Sequence, residues 1–132
     1  MFPLKVLNRL NDGHDIAAEL TPTLPNHKAW ILIRPQVNPE KAEWDKVRRR
    51  WWRVYVEEGI LAGYKVNYVE IEIKQIDSYF IETEDNDIEP TINERFSVAS
   101  EEELADLVSQ WTSDFSIFLD PYSMGIHLPF DL

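Results

Sequence analysis

From residue 64 onward the apolar side chains recur at every second position. Tyr64, Val66 and Tyr68 fall on one side, and Val69, Ile71 and Ile73 fall on the other. A period of two is that of an extended strand. The phase reverses between Tyr68 and Val69, which predicts either a bulge there or a strand whose two ends are covered from different sides. Residues 29–33 are a continuous apolar run between Pro25 and Pro35 and predict a buried strand. Shorter alternating stretches predict strands over 2–7, 78–83, 95–99 and 115–119. In the first of these Phe2, Leu4 and Val6 share a side.

Two segments switch to helical spacing. Asn38 can cap and Pro39 suits a first helical position. Trp44, Val47, Trp51, Val54 and Tyr55 then recur at three and four residues until Gly59, predicting a helix over about 39–58. Ser100 and Glu103 form a capping-box pair ahead of Leu104, Leu107, Val108 and Trp111, predicting a second helix over about 101–112. Between them and the N-terminus, Asn11-Asp12-Gly13 reads as a turn, and residues 15–20 read as one or two helical turns stopped by Pro22 and Pro25. The expected architecture is α+β: one domain over residues 1–132, with an antiparallel sheet of about five strands packed against two main helices.

Composition agrees with a folded chain. Of 132 residues, 44% are apolar and 12% aromatic, enough for one core. The absence of cysteine excludes disulfides, thiolate metal sites and cysteine nucleophiles. The first ten residues lack the unbroken apolar stretch of a signal peptide, and no window is long and apolar enough for a membrane span, so the expected location is cytoplasmic with no membrane partner.

Charge changes the picture more. Residues 1–63 carry ten Lys/Arg against eight Asp/Glu, whereas residues 64–132 carry three against sixteen, so the net charge of −11 resides almost wholly in the second half. A field of this sign disfavours nucleic acid and speeds encounter with basic proteins. Glu82, Glu84, Asp85, Asp87, Glu89 and Glu94 fall within thirteen residues that contain no Lys or Arg. They are either a solvated loop that protects a sheet edge or a docking surface.

Candidate chemistry is sparse. His14, His27 and His127 have no metal-ligand spacing, and no glycine-rich phosphate loop or nucleophile elbow occurs. His14-Asp15 offers an oriented imidazole without a nucleophile. A calcium-loop reading from Asp85 fails, because Pro90 stands where a glycine is required and Phe96 where a bidentate glutamate belongs. Glu70, Glu72 and Lys74 alternate as a Mg²⁺-nuclease strand does, with Glu57 or Glu58 as a second carboxylate, but the same pattern describes the wet face of an ordinary strand. The basic and aromatic stretch from Arg48 to Arg53 leaves Trp52 and Val56 off the helix's apolar face, where they suit a homodimer contact.

In size and composition the chain resembles immunity proteins of bacterial toxin–immunity pairs, which are small, acidic and non-catalytic. The expectation is therefore a non-enzymatic inhibitor, without metal or cofactor, that occludes a basic protein such as a nuclease-type toxin. The carboxylates of 82–94, together with Glu101, Glu102 and Asp106, would meet the partner, and Tyr79 and Phe80 would anchor the centre. The alternatives are the Mg²⁺ nuclease built on Glu72 and Lys74, an acidic mimic of DNA, and a homodimeric structural subunit.

Overall fold

The computed structural model describes residues 2–11, 13–37, 61–76 and 89–121. Four of its segments are extended: β1 (Ile16–Leu20), β2 (His27–Val37), β3 (Leu61–Glu72) and β4 (Ile92–Val98). They pair antiparallel in chain order, β1-β2-β3-β4, so each strand lies beside its neighbours in sequence. Register is set by pairs such as Ile16 with Ile33, Ile31 with Tyr68, and Tyr64 with Val98. Helices α1 (Leu4–Asn11) and α2 (Glu101–Val108) give the described part its α+β character, with a 3₁₀ turn at Phe115–Ile117 and helical residues 73–76 after β3.

Both helices lie on the same face of the sheet. Phe2, Val6 and Leu10 from the α1 region, Leu104 and Val108 from α2, and Phe115 and Phe118 close over Ile16, Ala18, Ile31, Ile33, Val66 and Tyr68. Contacts place α1 against β1 and β2 and α2 against β4, one helix over each half of the sheet. The opposite face is also withdrawn from solvent, since Ala17, Trp30, Leu32, Asn67, Val69 and Ile71 are all buried. Residues 29–33 are unbroken apolar because both sides of β2 are covered.

The same double burial accounts for the phase reversal in β3. Pairing runs without interruption from Gly63 to Glu72 against β2, so no bulge separates Tyr68 from Val69. The next core-face position after Tyr68 is filled by Glu70, fully buried, while Val69 and Ile71 are buried on the other side. The irregularity of the sheet lies at the other end of β3, where Gln36 and Val37 pair with Gly63 and Leu61 and Ala62 is the extra residue. Gly63 has φ +139° there, and a Cβ on it would stand 2.3 Å from the Val98 carbonyl oxygen.

The N-terminal segment is helical where alternation predicted a strand over 2–7. Phe2, Val6 and Leu10 recur at four and are buried, whereas Leu4, which a strand would have placed beside Phe2 and Val6, is 74% exposed. The Pro3 carbonyl accepts the first amide bonds, from Val6 and Leu7. Past the helix end, Gly13 takes φ +88° and two nested bonds close the turn: Gly13 N–H donates to the Leu10 carbonyl and His14 N–H to the Arg9 carbonyl. Residues 15–20, read from sequence as helical turns, instead supply β1, because Ile16, Ala18 and Leu20 face the core.

The second helix is shorter than 101–112. It stops at Val108, after which turn bonds carry the chain to Trp111, whose amide donates to the Val108 carbonyl. The strand expected over 115–119 reduces to the 3₁₀ turn and one bridge, in which Leu119 and Ala17 exchange amide bonds of 2.8 Å. The helix expected over 39–58 and the strand expected over 78–83 lie outside the described residues. Within the described residues the sheet has four strands rather than about five. No helix among them is long and apolar enough to cross a membrane.

Candidate functional site

The β4–α2 side of the molecule carries those of the expected partner-binding carboxylates that are described. Glu94 stands exposed on β4 opposite Tyr68. Glu101, Glu102 and Asp106 are exposed on α2. Glu89 is exposed just ahead of β4, where its amide and carbonyl are held by the Gln75 side chain, at 2.9 Å each. Among the described residues the ion pairs are Lys28 with Glu19, on β2 and β1, and Arg34 on β2 with Asp15 just ahead of β1. Glu94, Glu101, Glu102 and Asp106 take part in none among those residues. Tyr79, Phe80, Glu82, Glu84, Asp85 and Asp87, like Trp52 and Val56, lie outside the described residues.

Burial raises the pKa of both Tyr68 and Tyr64; Glu70 and, less, Glu94 add to the rise at Tyr68, and Glu101 adds to it at Tyr64. The first turn of α2 also has a local use for its charge, since Glu101, Glu102 and Glu103 complement the positive end of the helix dipole.

An aromatic group sits within this side. Trp111 is half-buried, stacked on Tyr68 with ring centres 4.9 Å apart and planes 4° from parallel, and tilted against Phe96 at 5.6 Å. Its spacing from Leu104 and Val108 reads in sequence as one more core position. Its place beyond the end of α2, where the chain turns, leaves part of the indole at the surface.

The Glu70-Glu72-Lys74 row does not form a wet strand face. The Glu70 carboxylate is buried and accepts four hydrogen bonds, from the Thr23 amide at 2.9 Å, the Thr23 hydroxyl at 2.5 Å, the Leu24 amide at 3.0 Å and the Tyr68 hydroxyl at 2.6 Å. Burial pushes its pKa up, but these donors outweigh burial and hold it below the usual range. Its role is to anchor the 21–26 loop to β3. Glu72 ends the strand, and Lys74 lies in the helical residues 73–76 that follow, so the two do not share a strand face. Glu57 and Glu58 lie outside the described residues.

His14 gains no orienting carboxylate from its neighbour. Asp15 is held by Arg34 through three contacts of 2.9 to 3.2 Å, and that bonding raises the Arg34 pKa. The recess there, of about 290 Å³, is lined by Gly13, His14, Asp15, Asp120 and Pro121. His27 is structural: Nδ1 lies 2.7 Å from the Pro25 carbonyl, which can only accept, and Nε2 lies 2.8 Å from the Thr91 hydroxyl. Among the described residues no three His, Asp or Glu side chains are grouped so as to hold a metal ion.

No model of a known protein family, no curated protein and no solved structure matches this chain.

Proposed function

We propose that the chain is a small acidic binding protein that occludes a basic protein partner, acting without catalysis in the manner of an immunity protein that neutralises a nuclease-type bacterial toxin in the cytoplasm. One observation supports this reading above the others: Glu94, Glu101, Glu102 and Asp106 are exposed on one side and enter no ion pair among the described residues. Unpaired carboxylates destabilise a chain that already carries a net charge of −11, and a cationic surface would relieve that repulsion. Trp111 supplies the aromatic centre from which such an interface draws affinity, while the surrounding charges govern the rate of encounter.

The test is capture of the partner from the native cell, followed by assay of the purified pair. The reading expects a basic protein bound one to one, with its activity blocked and its association rate falling steeply as salt rises from low to physiological. Association that is indifferent to ionic strength would refute it, as would turnover of a substrate by the purified chain alone.

A further inference from the structure

A second candidate site lies away from the acidic side, and its argument is independent of the one above. Between α1 and the segment that follows the 3₁₀ turn is a cleft of about 170 Å³. Its apolar lining is Val6 and Phe118, both nearly fully buried, with Pro3 and the 47%-exposed Leu119 at the margin. Lys5 and Arg9 line it as well. Four residues apart on a helix, they stand one above the other on one face with Cβ atoms about 5–6 Å apart.

Lys5 and Arg9 enter no ion pair among the described residues, so their charges are available to a ligand in the cleft that they line. The walls of the cleft are fixed in advance. Phe2 stacks on Phe115 at 4.7 Å and leans on Phe118 at 5.6 Å, joining the α1 segment to the far wall, and the paired amide bonds between Leu119 and Ala17 hold that wall to the sheet. A preformed cleft binds without a large ordering cost.

We propose that this cleft binds a small carboxylic acid with one compact apolar body, the carboxylate lying between Lys5 and Arg9 and the body resting between Pro3 and Leu119, over a floor of Val6 and Phe118. Size sets the class of ligand: a cavity of about 150 Å³ admits a benzene-sized group. Charge sets the head group, since two cations one turn apart favour a single anion over a neutral amide.

Phenylacetate is the probe. Titrated into the whole protein and followed by amide chemical shifts, it should produce saturable changes at residues of α1 and of 115–119. Phenylacetamide, of the same shape without the charge, should bind at least about tenfold more weakly, and inorganic phosphate, with the charge but no apolar body, should be weaker by a similar factor. The double variant Lys5→Gln/Arg9→Gln should lose the response, whereas Lys5→Arg/Arg9→Lys should keep it. Equal binding of acid and amide overturns the proposal, as does phosphate binding as tightly as phenylacetate or the absence of saturable shifts. None of these outcomes bears on partner capture by the acidic side.

Discussion

The Tyr68 hydroxyl donates to the Glu70 carboxylate at 2.6 Å on the core face of β3, two residues along the same strand. The tyrosine ring in turn stacks on Trp111. One side chain thus joins a buried charge, which anchors the 21–26 loop, to the aromatic surface beside the acidic residues.

Replacing Glu70 by Gln removes the charge and presents an NH₂ group where four donors already converge. A hydrogen bond to a charged group contributes about 1.5–3 kcal/mol, so Glu70→Gln should lower the unfolding free energy by at least that lower figure at pH 7. The native carboxylate has a depressed pKa, so its stabilisation is complete above the unfolded value of 4.5 and is lost as pH falls through the folded value. Denaturant titrations at pH 7 and at progressively lower pH should therefore show a steeper acid loss in the parent than in the variant.

Tyr68→Phe keeps the ring on Trp111 and removes one donor to Glu70, at a cost of about 1–2 kcal/mol. The hydroxyl's pKa is raised by burial first and by Glu70 second. A raised pKa means that the unfolded chain ionises first, so the parent should lose stability as pH rises past 10. The variant should lack this residue's share of that loss, which thermal melts between pH 8 and about pH 11 would measure.

Gly63→Ala should be the most disruptive single-methyl change in the described sheet. The added carbon would meet the Val98 carbonyl at 2.3 Å, and the backbone stands at φ +139°. Strain of this kind costs about 1–3 kcal/mol, and β4 must also move to relieve the contact. Hydrogen exchange should show protection lost first at the amides of residues 92–98. An unchanged melting temperature would refute the geometry.

Ser100→Ala tests the start of α2. The Glu103 amide donates to the Ser100 hydroxyl at 3.2 Å, while the Glu103 carboxylate reaches back to the Ala99 amide at 3.0 Å, one residue before the usual partner of a capping box. Loss of the hydroxyl should cost about 1 kcal/mol in unfolding free energy. Glu103→Ala should add a smaller cost, and the pair of changes should combine less than additively because both act on one turn.

Charge reversal at Glu94 and Asp106 tests the acidic side without touching a cap or the core. Stability should stay within about 0.5 kcal/mol, as for other surface substitutions. Association with the basic partner should slow by about tenfold at low salt and approach the parent's rate at high salt, since these charges steer encounter. Stopped-flow measurements across ionic strength would separate steering from a loss of contact.

Much of the sheet was legible, residues 29–33 from an unbroken apolar run and residues 64–72 from alternation, although the strand ends at Glu72 and not beyond Ile73 and Lys74; Ser100 with Glu103 marks the start of α2. The errors have physical causes. Residues 2–7 offer apolar groups at both two and four, and only the burial of Leu10 with Val6 decides for four. Residues 15–20 are too short for their period to show, so pairing with β2 decides for strand. Glu70 looked solvated because nothing near it in sequence hints that Thr23 and Leu24, from the β1–β2 loop, would supply its donors. The charge imbalance was plain from composition, but the partly exposed Trp111 depends on where α2 ends.

The bridge between Ala17 and Leu119 has a bearing on synthesis. During translation β1 can zip onto β2 as soon as residue 37 is free, but its outer margin waits for residue 119, nearly the length of the described chain later. Until then a nascent chain offers bare amides and carbonyls to any neighbour on the same polysome. Glu19 and Lys28, the charged pair on the second face of this hairpin, are then among the few features that discourage two emerging copies from zipping together.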